Sequence, residues 1–143
     1  MKPKAPAILM LLGGLLLLFG GGQPLSFDLF SSGVRPINAE GFRVMLVYDD
    51  SKLSLMPESE KSVIFSSEIR QYLGGKAKDF RIVSDKTDMS QDEAYWKEAF
   101  ERPRKENPWL MIASGKNKGG YEGKMPKTIE ATMSLLKKHA GDK

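Results

Sequence analysis

The adjacent carboxylates of Asp49 and Asp50 are the groups of this chain best placed to do chemistry. They stand at the end of an apolar run that begins at Phe42. Paired carboxylates can bind a divalent cation or act as general acid and base, and open α/β sheets bind ligands at the carboxyl ends of their strands. Because Asp85 and Asp88 follow a second apolar run, a cation site is conceivable there.

The alternative is that these aspartates begin turns and keep the strand ends solvated. No calcium-binding loop, Asp-x-Asp motif or histidine partner accompanies them. We therefore predict no catalytic residue, no metal ligand and no cofactor. A carboxylate- or metal-dependent enzyme that uses Asp49 and Asp50 is kept as an alternative function.

Cysteine chemistry is excluded by composition. The 143 residues contain no cysteine, so the chain has no disulfide, thiolate nucleophile, cysteine-ligated metal or lipid-anchoring cysteine. The single histidine, His139, follows Lys137 and Lys138 near the end of the last predicted helix. A cation at that position complements the helix C-terminus, and we prefer this interpretation to catalysis.

The charge pattern argues against a nucleic-acid partner. The net charge is only +4, and basic and acidic residues alternate along the chain. A nucleic-acid-binding protein concentrates its basic residues in a stripe with interleaved aromatics. The pattern here is typical of a solvated surface of mixed charge.

Apolar periodicity predicts alternating strands and helices. Strands are expected at residues 42–49, 80–84 and 109–113, with a short one around residues 121–123. Helices are expected at residues 58–73 with a stop at Gly74-Gly75, at residues 94–101 behind the capping box Ser90-x-x-Glu93, and after Pro126. The order β-α-β-α-β-β-α predicts an α/β fold with a four-stranded mixed sheet covered by helices on both faces.

Two residues add a family resemblance to this element order. Pro108 immediately precedes the third predicted strand, and Gly123 lies between the final hairpin and the last helix. From about Phe42 to Ala140 the chain resembles the thioredoxin-like family, in which these residues match the cis-proline position and a family glycine. The resemblance implies a thioredoxin-like sandwich.

The sequence departs from this family at the redox motif. Thioredoxins place Cys-x-x-Cys after the first strand, where this chain has Ser51-x-x-Ser54. A hydroxyl cannot replace a thiolate in disulfide exchange, so the resemblance implies a redox-inactive member.

In this family the loop beside the cis-proline helps to contact extended peptides. The resemblance therefore implies a partner surface formed by Pro108, Trp109 and the loop Asp50–Pro57, with Asp49, Asp50, Ser51, Pro108 and Trp109 as the candidate partner-binding residues. For Trp109 the alternative is that it opens a buried strand and belongs to the core.

Residues 5–22 form an apolar segment without a charge, near the lower length limit for crossing a bilayer. Lys2 and Lys4 precede it, so the positive-inside rule places the N-terminus in the cytoplasm and the folded domain on the non-cytoplasmic side. The alternative is a cleaved signal peptide, for which residues 20–24 (GGGQP) are a poor cleavage site. We predict a single-pass transmembrane anchor at residues 1–22, a linker at 23–41 and a thioredoxin-like domain at 42–143.

These features together favour a contact function over catalysis. The leading hypothesis is a membrane-anchored, redox-inactive thioredoxin-like domain that is not an enzyme. It would serve as a binding or structural subunit of a larger membrane-associated assembly, in a cell envelope or a virion. A secreted soluble binding module, released by signal cleavage, is the remaining alternative.

Overall fold

The computed structural model describes residues 35–115 and 119–142, which belong to the compact unit Ser31–Lys143. Its centre is a four-stranded mixed sheet in the order β2-β1-β3-β4. The strands are β1 (Arg43–Tyr48), β2 (Asp79–Ser84), β3 (Trp109–Ala113) and β4 (Gly120–Lys124). β1 runs parallel to β2 and antiparallel to β3, and β3 is antiparallel to β4. The predicted α/β fold with a four-stranded mixed sheet is confirmed.

The two central strands are apolar along their whole length because both of their faces are covered. Val44 and Leu46 of β1 point into one core, whereas Met45 and Val47 point into the other. All residues of β3 are buried. This is the burial expected of a strand between two layers.

Within the described residues, four α-helices and one 3-10 helix pack around the sheet. They are the 3-10 helix Asp50–Leu55, α1 (Glu58–Ile64), α2 (Ser67–Lys76), α3 (Ala94–Phe100) and α4 (Ile129–Ala140). The first core holds apolar residues of α1, α2 and α4, including Val63, Ile69 and Leu136. The second core holds Trp96 of α3 together with Ile37, both with no exposed surface.

The prediction of one continuous helix over residues 58–73 is wrong. The structure breaks it at Phe65 and starts α2 with Ser66 as N-cap, whose hydroxyl accepts a hydrogen bond of 3.0 Å from the amide of Ile69. A serine N-cap satisfies an otherwise unpaired helix amide, and here it outweighs the helical spacing of the apolar residues.

The predicted stop at Gly74-Gly75 is also wrong, because α2 continues to Lys76. Neither of these glycines has a positive φ. The left-handed glycine that ends a helix is Gly141, with φ 90°, after α4.

The predicted capping box does not form. The N-cap of α3 is Glu93, which makes no side-chain cap bond. The amide of Ser90 instead donates to Asp88 Oδ1 at 2.9 Å, which closes a local aspartate turn. Pro126 lies before α4, whose N-cap is Thr128.

The predicted transmembrane anchor lies outside the described residues, as does the predicted linker up to residue 34. Within the part of the chain that the structure describes, no helix has the length and hydropathy to span a bilayer. Residues 35–41, assigned to the linker from sequence, pack on the domain through the buried Ile37. The guanidinium of Arg35 donates to the carbonyls of Ala39, Gly41 and Ser114.

Candidate functional site

The predicted partner-binding residues meet at one edge of the sheet. Asp49, Asp50 and Ser51 follow the carboxyl end of β1, and Pro108 precedes the amino end of β3. Since β1 and β3 are antiparallel and Val47 pairs with Trp109, these two ends coincide. The peptide bond between Asn107 and Pro108 is cis, at the position that the family resemblance matched to the cis-proline.

The Asp49 carboxylate is engaged within its own loop. Its Oδ1 accepts hydrogen bonds from the Ser51 hydroxyl at 2.7 Å and from the Ser51 amide at 3.0 Å, so Asp49 is the N-cap of the 3-10 helix. The hydrogen bond from the Ser51 hydroxyl is the main cause that lowers the pKa of Asp49. Both side chains thus have the turn role that was the alternative to a cation site.

The other three aspartates considered for a cation site do not gather around Asp49. Asp50 is exposed, and its amide donates to Asp85 Oδ1 at 3.3 Å. Asp88 accepts from the Ser90 amide, and this bond lowers the pKa of its carboxyl. In residues 35–115 and 119–142, no three histidine, aspartate or glutamate side chains are grouped as metal ligands would be.

Pro108 and Trp109 are buried at this edge. Trp109 is 4% exposed and packs in the second core with Met111 and Trp96. Its indole nitrogen donates to Glu122 Oε2 at 3.2 Å. The side chain therefore occupies the core position that the sequence had left as an alternative, and the exposed part of the edge consists of Asp50, Ser51 and the residues that follow them.

Sequence reasoning did not single out the two large apolar side chains that are exposed among the described residues, although Leu55 lies in the loop Asp50–Pro57 that was expected to join the partner surface. Leu55, at the end of the 3-10 helix, is 83% exposed, and Phe65, at the end of α1, is 50% exposed. The Phe65 ring meets the Tyr48 ring edge to face, with centroids 5.8 Å apart. The chain thus leaves the sheet after Tyr48 and comes back into contact with that strand residue through the ring of Phe65.

We call the exposed side of the segment from Tyr48 to Phe65 the 48–65 surface. It is defined by Tyr48, Leu53, Leu55, Met56 and Phe65. Tyr48, Leu53 and Met56 are partly buried against the first core, so the surface is continuous with the interior and is supported from beneath. Phe65 lies within the helix predicted over residues 58–73, where Phe65, Ile69 and Leu73 have helical spacing. The serine run at residues 66–67 was the available signal that the helix would break and release it.

A second polar arrangement joins Ser114 and His139. The Ser114 hydroxyl and His139 Nδ1 are 2.7 Å apart, and the Gly115 amide donates to the His139 carbonyl at 2.9 Å. Burial and, to a smaller extent, the charge of Lys138 lower the pKa of His139. A neutral imidazole can accept the proton of a serine hydroxyl, as in a nucleophile–base pair.

The contact between Ser114 and His139 is nevertheless a structural one inside the domain. Ser114 is only 5% exposed, and among the described residues no carboxylate hydrogen-bonds to the His139 ring to orient it. The contact fastens the last turn of α4 to the end of β3. The lowered pKa disfavours the protonated imidazole, so the structure does not favour the helix-terminal cation expected from the sequence.

The first core contains a cavity too small for an organic ligand. Its volume is about 10 Å³, and it is lined almost entirely by aliphatic side chains of the sheet, α1, α2 and α4. This is near the lower bound for a single water molecule, and apolar cavities of this kind stay dry. The only polar side chain of its wall is Thr132, whose hydroxyl donates to the Thr128 carbonyl.

Comparison with known proteins assigns neither a family nor a function. No protein-family model, no curated protein sequence and no solved structure matches the chain. The functional argument therefore rests on the residues and geometry of the domain itself.

Proposed function

We propose that this chain is a redox-inactive, thioredoxin-like domain, held at a membrane by its N-terminal segment, that acts as a binding or structural subunit of a larger assembly. The element order and the mixed sheet support the thioredoxin-like assignment. The absence of cysteine from all 143 residues removes the chemistry that this fold usually performs.

One observation supports the contact function. Leu55 and Phe65 are both exposed in the segment 48–65 that follows β1. Exposed apolar surface that the fold does not cover marks protein or membrane interaction sites. Burying an exposed leucine or phenylalanine side chain contributes about 1.5–3 kcal/mol each. The 48–65 surface therefore offers an interface in a domain whose described cavity is too small for an organic ligand.

Site-specific photo-cross-linking of the full chain in its native membrane tests the contact function. A photoreactive residue in place of Leu55, and separately of Phe65, should give a cross-linked product of defined higher mass after detergent extraction. The same residue in place of Gly75, which is exposed on α2 and has open space around it, is the matched control. Cross-linking at position 75 alone, or at none of the three positions, would contradict the proposal.

The membrane part of the proposal rests on residues 5–22 and on the lysines before them. The intact mass of the chain purified from its membrane should include residues 1–22, and the chain should resist extraction by high salt and alkaline carbonate. A mature mass that lacks these residues would favour the secreted binding module instead.

A further inference from the structure

The two outer strands of the sheet differ in how far they are covered. β2 and β4 are the outer strands of the four-stranded sheet. Every residue of β2 is partly exposed, whereas Gly120, Glu122 and Gly123 of β4 are buried. An outer strand presents backbone N–H and C=O groups to which a strand of another molecule can add. Among the described strands, β2 is therefore the one at which such an addition has to be prevented or used.

The pairing of β2 with β1 shows which backbone groups of β2 point away from the sheet. The amide of Asp85, directly after β2, donates to the Tyr48 carbonyl at 2.7 Å. Successive residues of a strand direct their N–H and C=O groups alternately to one side and to the other. Counting back from Asp85, the groups that point away from β1 are those of Phe80, Ile82 and Ser84.

The outward groups of Phe80 are occupied by the side chains on either side of it. Its amide donates to Asp79 Oδ1 at 2.9 Å, and a terminal nitrogen of Arg81 donates to its carbonyl at 3.0 Å. The same Arg81 nitrogen lies 2.9 Å from Asp79 Oδ1, so the ion pair closes over the backbone of Phe80. The two side chains thus take the hydrogen-bonding places that a neighbouring strand would use.

The other end of β2 is closed by the turn that follows it. The Ser84 carbonyl accepts a hydrogen bond of 3.1 Å from the Thr87 amide. The remaining outward residue is Ile82, for which no described side chain or turn supplies a partner. A single residue is too short a stretch for a stable strand pair, so the outer side of β2 is closed along most of its length.

Arg81 is held in this position from the side of α3. Its Nε and second terminal nitrogen donate to Asp92 Oδ1 at 3.2 and 2.9 Å. Its guanidinium carbon lies 5.0 Å from the centroid of the Trp96 ring, over which it stacks. A planar guanidinium that is fixed on both sides loses little further freedom when it bonds the Phe80 carbonyl. The closed arrangement is therefore set by the packing of α3.

We propose that the Asp79–Arg81 pair protects the outer side of β2 and keeps it from pairing with a strand of another molecule, a second copy of this chain included. Charged side chains are a general means of protecting an outer strand. This inference is independent of the proposed function. It implies that a partner contacts side chains of the domain and does not add a strand to its sheet.

The test compares the purified full chain in detergent with the variant Asp79→Thr/Arg81→Thr. Threonine suits a strand and carries neither a carboxylate nor a guanidinium. In sedimentation, the average mass of the variant should rise about twofold or more when its concentration is raised about tenfold, because the opened strands pair. Hydrogen exchange of the Ile82 amide, fast in the unmodified chain, should slow by about tenfold or more in the associated variant.

The matched control is Asp92→Ala/Glu93→Ala. It removes the carboxylates that hold Arg81 from the side of α3 and leaves the Asp79–Arg81 pair in place, so both measurements should match the unmodified chain. Circular dichroism verifies that each variant is folded. If the double threonine variant does not fold, Arg81→Thr alone uncovers the Phe80 carbonyl and leaves Asp79 to accept the Trp96 indole nitrogen at 3.4 Å. It should show the same two effects in weaker form.

Three outcomes would overturn the proposal. The first is a folded threonine variant whose mass and Ile82 exchange match those of the unmodified chain. The second is equal association of the Asp92→Ala/Glu93→Ala control, which would assign the effect to a loosened α3. The third is slow exchange of the Ile82 amide in the unmodified chain, which would show that β2 is already paired on its outer side.

Discussion

The indole nitrogen of Trp109 donates a hydrogen bond of 3.2 Å to Oε2 of Glu122 on the neighbouring strand. Trp109 stands opposite Lys124, so Glu122 is its diagonal neighbour on the same face of the sheet. Arg102 binds the same carboxylate as a fork, with Nε at 3.0 Å from Oε2 and a terminal nitrogen at 2.7 Å from Oε1. A carboxylate that is only 3% exposed is thereby satisfied, and the end of α3 is held to the edge strand β4.

Removing this carboxylate should be costly. We expect Glu122→Ala to lower the free energy of unfolding by about 2–4 kcal/mol, because it leaves the Arg102 guanidinium and the Trp109 N–H without their partner. Glu122→Gln keeps the shape and an acceptor oxygen, so its loss should be smaller. Chemical denaturation followed by tryptophan fluorescence measures both.

The control for this prediction is Glu106→Ala. Glu106 pairs with Lys124 at 3.8 Å, with both side chains about half exposed, and such surface pairs contribute at most about 1 kcal/mol. Equal losses for Glu122→Ala and Glu106→Ala would show that the buried cluster has no special role in stability.

Two glycine-to-alanine substitutions should change stability in opposite directions. A Cβ at Gly120 would lie 2.1 Å from the carbonyl oxygen of Ile112, so β3 and β4 would have to separate. A Cβ at Gly75 would meet nothing within 4 Å, and alanine is favoured over glycine in a helix by about 0.5–1 kcal/mol.

Gly120→Ala should therefore destabilise the domain by about 2 kcal/mol or more, whereas Gly75→Ala should stabilise it. Thermal unfolding of the two variants beside the unmodified chain is the measurement. A Gly120→Ala variant as stable as the unmodified chain would contradict the described approach of β4 to Ile112.

Stability should fall as the pH drops below about 6.5, the ordinary pKa of histidine, because burial lowers the pKa of His139 in the folded domain. Between that lowered pKa and 6.5, the unfolded chain binds a proton that the native domain does not, so acid favours unfolding. The groups that face the imidazole are the Ser114 hydroxyl and the Tyr121 ring, and Lys138 adds a positive charge.

Denaturant midpoints measured from pH 8 to pH 5 should show this slope, and His139→Gln should flatten it. The carboxylates with lowered pKa, Asp49, Asp88 and Asp142, affect stability only at more acidic pH, at and below their ordinary pKa of 3.8. An identical slope in His139→Gln would assign the effect to other groups.

The exposed apolar residues should matter for contact and not for folding. Leu55→Glu should change the free energy of unfolding by about 0.5 kcal/mol or less, because the side chain is 83% exposed. Leu136→Ala, at a position that is 1% exposed in the first core, should cost about 2–5 kcal/mol. A large loss of stability in Leu55→Glu would mean that position 55 belongs to the fold and would weaken the interface proposal.

Local pattern was sufficient to predict the strands and their order with the helices. β3 was predicted with its observed bounds and β1 to within one residue at each end, since central strands covered on both faces must be apolar throughout. The edge strands β2 and β4 were predicted to within one residue at each end. The break at Phe65 was missed because helical spacing continues across it, while the cap bond from the Ile69 amide to the Ser66 hydroxyl competes locally. The candidate site was predicted in part. Asp49, Asp50 and Pro108 do share one sheet edge, and Leu55 lies in the loop Asp50–Pro57 assigned to the partner surface, but the exposure of Phe65 was not foreseen.

The sequence alone determined the chemistry that is impossible for this protein and the segments that must be buried. Absence of cysteine is a property of composition, and the apolar runs at residues 42–49 and 109–113 had to enter a core because water disfavours them. Only the tertiary structure decided which distant residues meet, such as Ser114 with His139 and Trp109 with Glu122. Strand order and register set those contacts, and they also left Leu55 and Phe65 facing solvent. Periodicity reports whether one face of a segment is apolar, but which partner covers that face depends on how the elements pack together.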